Sequence, residues 1–481
     1  MKLLTTTLGI AAIGLAPLAT ADDGIRVFLA NRADRDTQVA RSIWEWAEVG
    51  YQEVKSSGLL QQELAAAGFK VEAGVAGIPT AFVASWGKGE PVVGILAEFD
   101  ALPGITQDAV PVRKPLPGRL SGHACGHHLF GTASVSAAIA LRHWLEKSGK
   151  PGTIRLYGTP AEEGGAAKVY MVRAGLFRDV SAVMHWHAAD VNAAGLDKSL
   201  ANKTIKFRFH GLSAHASGAP HRGRSALDGV EAMNHMVNLM REHVPSDARI
   251  HYIITSGGSA PNVVPDFAES YYYIRHADTR MVEEIFGRIA KSAEGAALGT
   301  GTTVDYEVIG GVHSLLPNET LARVMHAKLR EVGGIGYTAA EQAFATELYS
   351  SLLAPTLPLG SEAVVQEFDF ERPGIGSTDV ADVSWNVPTV GLRVATWVPG
   401  TPAHSWQAVA AGGTSIGYKG MNNASQTLAL MGAELFTHPR LIERARAEFE
   451  KRRGPDFEYQ PVLGDRDPPL DYRRGVAGGG E

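Results

Sequence analysis

The sequence predicts an α/β protein that carries a smaller α+β domain inserted into its chain. Before residue 202, short continuous apolar segments alternate with helical patterns, which is typical of a sheet covered by helices on both faces. From residue 202 to 312 the order is strand, helix, strand, strand, helix, strand, which indicates a ferredoxin-like arrangement. The first pattern resumes from Leu315, so the two flanking parts should form one larger domain.

The first part of the larger domain, residues 22–201, begins with helices and continues with strands. Apolar residues recur at spacings of three and four between residues 36 and 69, which predicts two amphipathic helices. The segment 91–97 is continuously apolar, too short for a helix and bounded by glycine and proline, as expected of a buried strand. The same reasoning predicts further strands and helices: strands at 153–157 and 182–184, and helices at 129–144 and 169–174.

The inserted domain, residues 202–312, begins with a segment in which polar and apolar residues alternate. Its first segment, 204–209, alternates polar and apolar residues at period two. The remaining predicted elements are helices at 225–240 and 280–297 and strands at 250–255, 267–274 and 303–309. Residues 313–452 should complete the larger domain. The tail, residues 453–481, is rich in Pro, Gly and Asp and is expected to be extended or disordered.

Composition limits the possible functions. The 481 residues include 45 Lys+Arg and 51 Asp+Glu, a formal charge of −6, and 45% are hydrophobic, which is typical of a globular protein with two or three folding units. We find no local basic patch, so no nucleic-acid partner is predicted. The single cysteine, Cys125, excludes an intrachain disulfide and leaves the thiol as a small buried group or a chemical one.

The first 21 residues have the pattern of a secretory signal peptide. Lys2 is the only charged residue, an apolar segment covers residues 8–18, and Ala19-Thr20-Ala21 forms a cleavage pattern before Asp22. Glycine and proline interrupt the apolar segment, which is shorter than the ~20 residues of a spanning helix. We therefore expect a periplasmic or secreted protein with no membrane span after signal removal.

A glycine-rich segment just before the predicted helix 129–144 combines thiol and imidazole groups. Cys125 and His127 are two residues apart, a spacing that lets both reach one ion from a loop, and His123 and His128 flank them. The alternative interpretation is a glycine-rich helix start with exposed histidines.

Two adjacent carboxylates, Glu162 and Glu163, follow the predicted strand 153–157. Neighbouring residues at a strand end can point in different directions, so one can bind a metal while the other acts as a general base; the alternative is a solvated acidic turn. Further histidines close a strand in His185-Trp-His187 and occupy a loop at His404. Together, these residue types match the mixed ligands of a two-ion catalytic site.

With these motifs, the chain resembles the metal-dependent aminoacylase and carboxypeptidase superfamily. The nearest branch includes aminobenzoyl-glutamate hydrolases, in particular their B-type subunits, and indole-acetyl amino-acid hydrolases. The resemblance covers roughly residues 35–440 and rests on seven segments in the family's order: 97–104 (AEFDALPG), 122–127 (GHACGH), 158–165 (GTPAEEGG), 211–216 (GLSAHA), 261–266 (PNVVPD), 376–380 (GSTDV) and 404–407 (HSWQ).

The resemblance implies a mixed-sheet dinuclear metallohydrolase domain with an inserted ferredoxin-like domain for dimerisation and lid closure. It also implies two Zn²⁺ or Mn²⁺ ions and hydrolysis of amide bonds next to a free carboxylate. The expected assembly is a homodimer through residues 202–312, or a pair with a similar subunit.

The family's site residues transfer to positions that match its motifs. The implied metal ligands are Cys125, His127, Glu163, His187 and His404. His185 is an alternative to His187. We prefer His187, because the nearest branch has Trp-His at that point. The chain departs from the family's pattern with His128, where Asp is frequent, and with Ala188, where Pro is common.

The resemblance also implies roles for residues that do not bind the ions. Glu162 is the general base, and Asp100 orients a metal ligand. In the inserted domain, His215 reaches across the dimer to the scissile carbonyl, while Asn262 and Arg275 orient the substrate carboxylate, a task suited to a guanidinium group.

The predicted function is an exported amidohydrolase in which Glu162 deprotonates a metal-activated water. Its substrates would be N-acyl or N-aroyl amino acids, such as aminobenzoyl-glutamate, or short peptides. The first alternative is a dipeptidase or carboxypeptidase of the same superfamily. A cysteine amidase, with Cys125 as nucleophile and His127 as base, is another, although nothing evident in the sequence orients that base. A periplasmic binding protein for acyl amino acids is the third.

Overall fold

The computed structural model describes residues 21–370 and 376–477, so the predicted signal peptide lies outside the described residues except for Ala21. The helices are α1 Ala21–Trp46, α2 Val54–Ala66, α3 His127–Ser148, α4 Ala167–Arg173, α5 Ala226–Met240, α6 Thr279–Thr300, α7 Glu319–Val332, α8 Ala339–Tyr349, α9 Val380–Ser384, α10 Trp406–Gly412, α11 Ser415–Thr437, α12 Pro439–Arg453 and α13 Arg474–Ala477. The strands are β1 Lys70–Ala73, β2 Phe82–Lys88, β3 Val92–Ala97, β4 Leu102–Pro103, β5 Ser121–Gly122, β6 Gly152–Gly158, β7 Ala182–Met184, β8 His187–Ala189, β9 Ala201–His210, β10 Arg249–Ser256, β11 Phe267–His276, β12 Thr303–Val312, β13 Thr389–Val390 and β14 Arg393–Ala395. Within the described ranges, no helix is both long and apolar enough to cross a membrane.

Helix α1 begins earlier than the sequence pattern predicted. The predicted pair of helices started near residue 36, whereas α1 starts at Ala21. Ile25 and Leu29, four residues apart, are buried and extend the apolar face of α1 toward the core. The helix packs along α3 and α11, so it is part of the main core.

The larger domain is built on a six-stranded mixed sheet with the order β1-β2-β6-β3-β7-β13. The neighbours β6, β3, β7 and β13 run parallel, whereas β1 and β2 add an antiparallel edge. Side chains of β3 alternate between two cores: Val93 and Ile95 pack with the core that contains α3, and Val92 and Leu96 with the one that contains α4. The predicted α/β class and the strands at 91–97, 153–157 and 182–184 are confirmed.

The inserted domain has the predicted ferredoxin-like topology. Its four strands form an antiparallel sheet in the order β10-β11-β9-β12. Alternate residues of β9, Ile205, Phe207 and Phe209, are buried with the apolar faces of α5 and α6. This separate core explains why the segment reads as a self-contained unit in the sequence.

The described part of the tail is irregular and is anchored to the rest of the protein. Residues 454–473 form turns with little regular structure, but they pack on the protein surface. Val462 and Leu463 are only 3% and 2% exposed. A few apolar residues are enough to anchor an irregular segment, and composition alone does not reveal such anchoring.

Candidate metal centre

The candidate site lies at the carboxyl edge of the parallel strands. Strand β3 ends just before Glu98 and Asp100, and β6 ends before Glu162 and Glu163. Cys125 lies two residues before the start of α3 at His127. The carboxyl ends of neighbouring parallel strands meet at one edge of a sheet, where ligand sites form in α/β proteins. The fold therefore brings together motifs that are far apart in the sequence.

Two groups of side chains have a spacing that could hold a metal ion, and they share Cys125. One consists of Cys125, His127 and His187, and the other of Cys125, Glu163 and His404; within each group the ligand atoms lie within 4.8 Å of one another. The distance from Cys125 Sγ to His187 Nε2 is 3.5 Å, and that from His404 Nε2 to Glu163 Oε1 is 3.2 Å. The structure thus brings together all five predicted ligands around one sulfur atom.

Local backbone geometry places Cys125 beside β8. Gly126 has a φ of 78° in the left-handed region and lies against Ala188, where a Cβ would collide with the alanine methyl group. His404 also has a left-handed φ, 60°, and its N–H donates to the carbonyl of Ala124 at 2.9 Å. The first contact places the loop that carries Cys125 against β8, and the second joins the loop that carries His404 to it.

His187, and not His185, lies next to Cys125. The Nδ1 of His187 is 2.7 Å from its neighbour's carbonyl, Ala188 O, so Nδ1 carries the proton and Nε2 is left as the ligand atom that faces the sulfur. His185 is buried against Gly391, and burial lowers its pKa to about 4. The geometry agrees with the preference for His187.

Asp100 contacts two of the candidate ligands, which is the position expected of a residue that orients them. Its Oδ1 lies 2.9 Å from His127 Nδ1, and its Oδ2 accepts the backbone N–H of Glu163 at 2.9 Å. Burial disfavours the charged form of Asp100, but the nearby His127 lowers the pKa of this carboxyl below its ordinary value. Burial also opposes a charged His127, but Cys125, Asp100 and Glu98 raise the pKa of that imidazole well above its ordinary value.

Glu162 belongs to a third group, with Glu98 and His127, whose atoms again lie within 4.8 Å of one another. Burial, followed by the nearby charges of Glu98 and Glu163, raises the pKa of Glu162 well above its ordinary value. The adjacent carboxylates therefore diverge: Glu163 faces His404, whereas Glu162 faces Glu98.

Sequence reasoning missed a buried charge cluster behind the site. Lys168, on α4, lies 2.8 Å from Glu98 Oε1 and 2.7 Å from Asp379 Oδ1, and all three side chains are almost fully buried. Glu98 and Asp379 lie within the family-like segments 97–104 and 376–380, and this is the signal that could have identified them. Nothing in the helical pattern of 169–174 indicated that Lys168 is buried.

The residues present fit a pair of divalent cations. Three buried polar atoms of the site have close polar neighbours but make no hydrogen bond of good geometry: His127 Nε2 and Glu98 Oε2, which lie 3.1 Å apart, and Glu163 Oε1. A buried polar atom is normally paired, and cations would pair these. The thiol, imidazole and carboxylate donors suit Zn²⁺ or a similar transition metal better than Ca²⁺ or Mg²⁺.

The predicted residues of the inserted domain lie outside these groups. His215 is exposed, and its Nδ1 accepts the N–H groups of Ser217 and Gly218 at 3.2 and 3.1 Å. The remaining ring proton is therefore on Nε2, which is available as a donor. Asn262 lies in the adjacent loop, where its carbonyl accepts the N–H of Ala216.

Arg275 and Asn262 lie near opposite ends of β11. Asn262 precedes the first residue of β11, Phe267, whereas Arg275 is near the last residue of that strand. From Phe267 to Arg275 there are eight steps of ~3.3 Å, or about 26 Å. The bridge between His215 and Val263 keeps the Asn262 loop at the Phe267 end of the strand. Within one chain, Asn262 and Arg275 therefore lie at opposite ends of β11, which the sequence did not reveal.

Comparisons with known proteins agree with this fold. A family profile described as "Peptidase dimerisation domain" matches residues 200–300. The chain is 40% identical over 448 residues to the B-type subunit of p-aminobenzoyl-glutamate hydrolase from Escherichia coli, covering 87% of this chain and 93% of that protein. It is 29% identical over 434 residues to the Xaa-Arg dipeptidase of Mus musculus, covering 87% and 89% of the two chains.

Among solved structures, a dinuclear metal-binding peptidase of the M20 family from Bacillus subtilis has the same fold. The TM-score is 0.58 at 18% sequence identity, with 85% of this chain and 99% of that chain covered. The predicted resemblance is confirmed by the extended match at 40% identity. The chain belongs to the M20 family of metal-dependent hydrolases, which act on amide and peptide bonds.

Proposed function

We propose that the protein is a dinuclear amidohydrolase that releases a free amino acid from N-acyl or N-aroyl amino acids or from short peptides. The observation that carries this proposal is the sharing of Cys125 between two ligand groups, with Glu162 beside them. A site for binding alone would not need the second carboxylate of the Glu162–Glu163 pair. The E. coli relative supports an aminobenzoyl-glutamate-like substrate, and the mouse relative supports dipeptides.

The chain's own residues divide the reaction between them. Two ions held by Cys125, His127, Glu163, His187 and His404 would supply Lewis acidity and lower the pKa of water at the site. Glu162 accepts the proton of the attacking water and passes it to the nitrogen of the leaving amine, which balances the proton across the reaction. Asp100 holds His127 and the Glu163 backbone in place, so that both ligands are oriented before substrate arrives.

A dimer through residues 202–312 would complete the site. His215 Nε2–H can donate to the scissile carbonyl oxygen, but it lies on the inserted domain, outside the ligand groups. The separation of Asn262 from Arg275 supports contributions from two chains: Arg275 from one chain and Asn262 with His215 from its partner. The E. coli hydrolase is named with an A-type and a B-type chain, so a similar second chain is the other possible partner.

One observation favours a second candidate, a cysteine amidase. Asp100 contacts His127 at 2.9 Å and therefore supplies the orienting group that the sequence did not reveal. This candidate leaves no role for His187, Glu163 and His404, and their convergence on Cys125 favours the metal-dependent reaction.

The experiment is a screen of N-acyl amino acids, N-aroyl amino acids and short peptides with protein reconstituted with Zn²⁺ or Mn²⁺. Released amino acid is quantified, with Glu162→Gln as the matched control. Loss of activity with a chelator and its recovery on adding metal supports the proposal. Activity that survives metal removal but not thiol alkylation would assign the reaction to Cys125. No turnover of any amide would favour a binding protein.

We also propose that the protein is exported. Cleavage after Ala21 would leave all but the first residue of α1 on the mature chain, including the buried Ile25 and Leu29. Removal of the leader is thus compatible with an intact core. N-terminal sequencing of protein from the producing cell should give Asp22 as the first residue; an intact leader in all material would contradict export.

A further inference from the structure

The loop that carries Glu162 and Glu163 has an unusual backbone. Ala161 and Ala166 both have a φ of 55°, and Gly164 has a φ of 101°. The left-handed region is unfavourable for alanine, so such a loop persists only when its surroundings hold it.

Three side chains of the larger domain, all from residues that precede the loop in sequence, hydrogen-bond to its backbone. Glu53 Oε1 accepts the N–H of Ala161 at 2.8 Å, and the hydroxyl of Tyr51 donates to the carbonyl of Gly165 at 2.7 Å. Asp100 accepts the N–H of Glu163, as described above. These bonds fix both ends of the loop and one face of its centre.

The other face of the centre is held from the C-terminal tail. The hydroxyl of Tyr472 donates to the carbonyl oxygen of Glu163 at 3.1 Å, and Arg473 Nη2 donates to the same oxygen at 2.8 Å. The Glu163 peptide groups are thus fixed on both sides, by Asp100 at the N–H and by Tyr472 and Arg473 at the carbonyl. A shift of this carbonyl would move the Glu163 carboxylate and tilt Glu162.

Contacts along the C-terminal tail place Tyr472 and Arg473 beside the loop. We name residues 454–473 the C-terminal strap. The strap is anchored by the buried Val462 and Leu463 and by Arg173 of α4, which donates to two of its carbonyls at 2.7 and 3.1 Å. Close to its end, Gln52 donates to the carbonyl of Leu470 at 2.9 Å. Because these contacts fix the strap just before Tyr472, they also fix the positions of the Tyr472 ring and the Arg473 guanidinium.

We propose that Tyr472 and Arg473 are positioning residues that hold the Glu162–Glu163 loop in its reactive geometry. The inference rests on the proposed function of that loop. In this proposal the strap acts through the Glu163 backbone, because Tyr472 and Arg473 contact the loop at the carbonyl oxygen of Glu163. Its loss should therefore change the rate of the chemical step and the geometry of the metal site more than the binding of substrate.

The test compares Tyr472→Phe, Arg473→Ala and the double variant with wild-type protein. Arg474→Ala is the matched control, since Arg474 is the next residue and its side chain is exposed. We expect kcat of the double variant to fall about 10- to 100-fold, with KM changed less than about threefold. Arg473→Lys, which keeps one cationic donor, should recover part of the loss. Arg474→Ala should match wild type.

A second readout does not depend on turnover. In protein loaded with Co²⁺, the visible absorption bands report the ligand geometry at Cys125 and Glu163, and they should shift in the double variant but not in Arg474→Ala. Wild-type kcat and an unchanged cobalt spectrum in the double variant would overturn the positioning role, as would equal losses in the double variant and the control. If no substrate is turned over by wild type, the proposed function fails separately, and the spectrum alone decides the role of the strap.

Discussion

Removing the buried ammonium of Lys168 should destabilise the larger domain strongly. Lys168 is fully buried between Glu98 and Asp379, with Nζ to oxygen distances of 2.8 and 2.7 Å. In Lys168→Met, a side chain of similar length leaves two buried carboxylates without their cation. Breaking a buried ion pair by removing one partner costs about 3–5 kcal/mol, so we expect a loss of that size in the free energy of unfolding.

The assay is urea unfolding followed by tryptophan fluorescence, with Lys114→Met as the matched control. Lys114 pairs with Asp108 at 2.9 Å, but its side chain is 61% exposed, so its loss should cost only about 0–1 kcal/mol. Equal urea midpoints for the two variants would refute the reasoning, because the buried pair would then contribute no more than the exposed one.

Four further predictions concern the reaction and the C-terminal strap. Glu162→Gln should retain both ions but lose about 10²–10⁴-fold in kcat, since it keeps the size of the side chain and removes the proton acceptor; near-normal turnover would remove Glu162 from its role. Mixing inactive His215→Ala with inactive Glu162→Gln subunits should restore activity, because one site in the mixed dimer would have both groups; confirmed subunit exchange without recovery would contradict action across the dimer. Arg275→Met should raise KM for substrates with a free carboxylate by about 10-fold or more and leave carboxyl-amidated analogues unaffected; equal changes for both substrate types would contradict carboxylate recognition. Removing Val462 and Leu463 from the core by double substitution to Ser should raise the susceptibility of the C-terminal strap to proteolysis; an unchanged cleavage rate would show that they are not its anchors.

The sequence was sufficient for the fold class and for the set of candidate ligands. Period-two and period-3.6 patterns are local, so strands such as β3 and the whole βαββαβ order of residues 202–312 could be predicted directly. The proposed ligands Cys125, Glu163 and His404 could be selected because each belongs to a motif with a chemical rationale. Their meeting at one edge of the sheet follows from the parallel order of the strands.

The remaining features depend on contacts between distant parts of the chain. Tyr472 and Arg473 touch a carbonyl about 310 residues away in sequence, and no local pattern encodes such a contact. Lys168 was not recognised as a buried cation, because lysine in a helix normally faces solvent. Arg275 and Asn262 were assigned to one carboxylate from the family resemblance alone, which gives no distance along β11.

The most direct test of the account is the number of metal ions per chain after chelator treatment and reloading, measured by inductively coupled plasma mass spectrometry. The account predicts two ions in wild type and a clear loss in Cys125→Ser, because a hydroxyl is a much poorer ligand than a thiolate. His185→Asn, which alters a histidine outside the ligand groups, should keep two ions. Two ions in Cys125→Ser, or fewer than two in fully reloaded wild type, would contradict the shared-cysteine site.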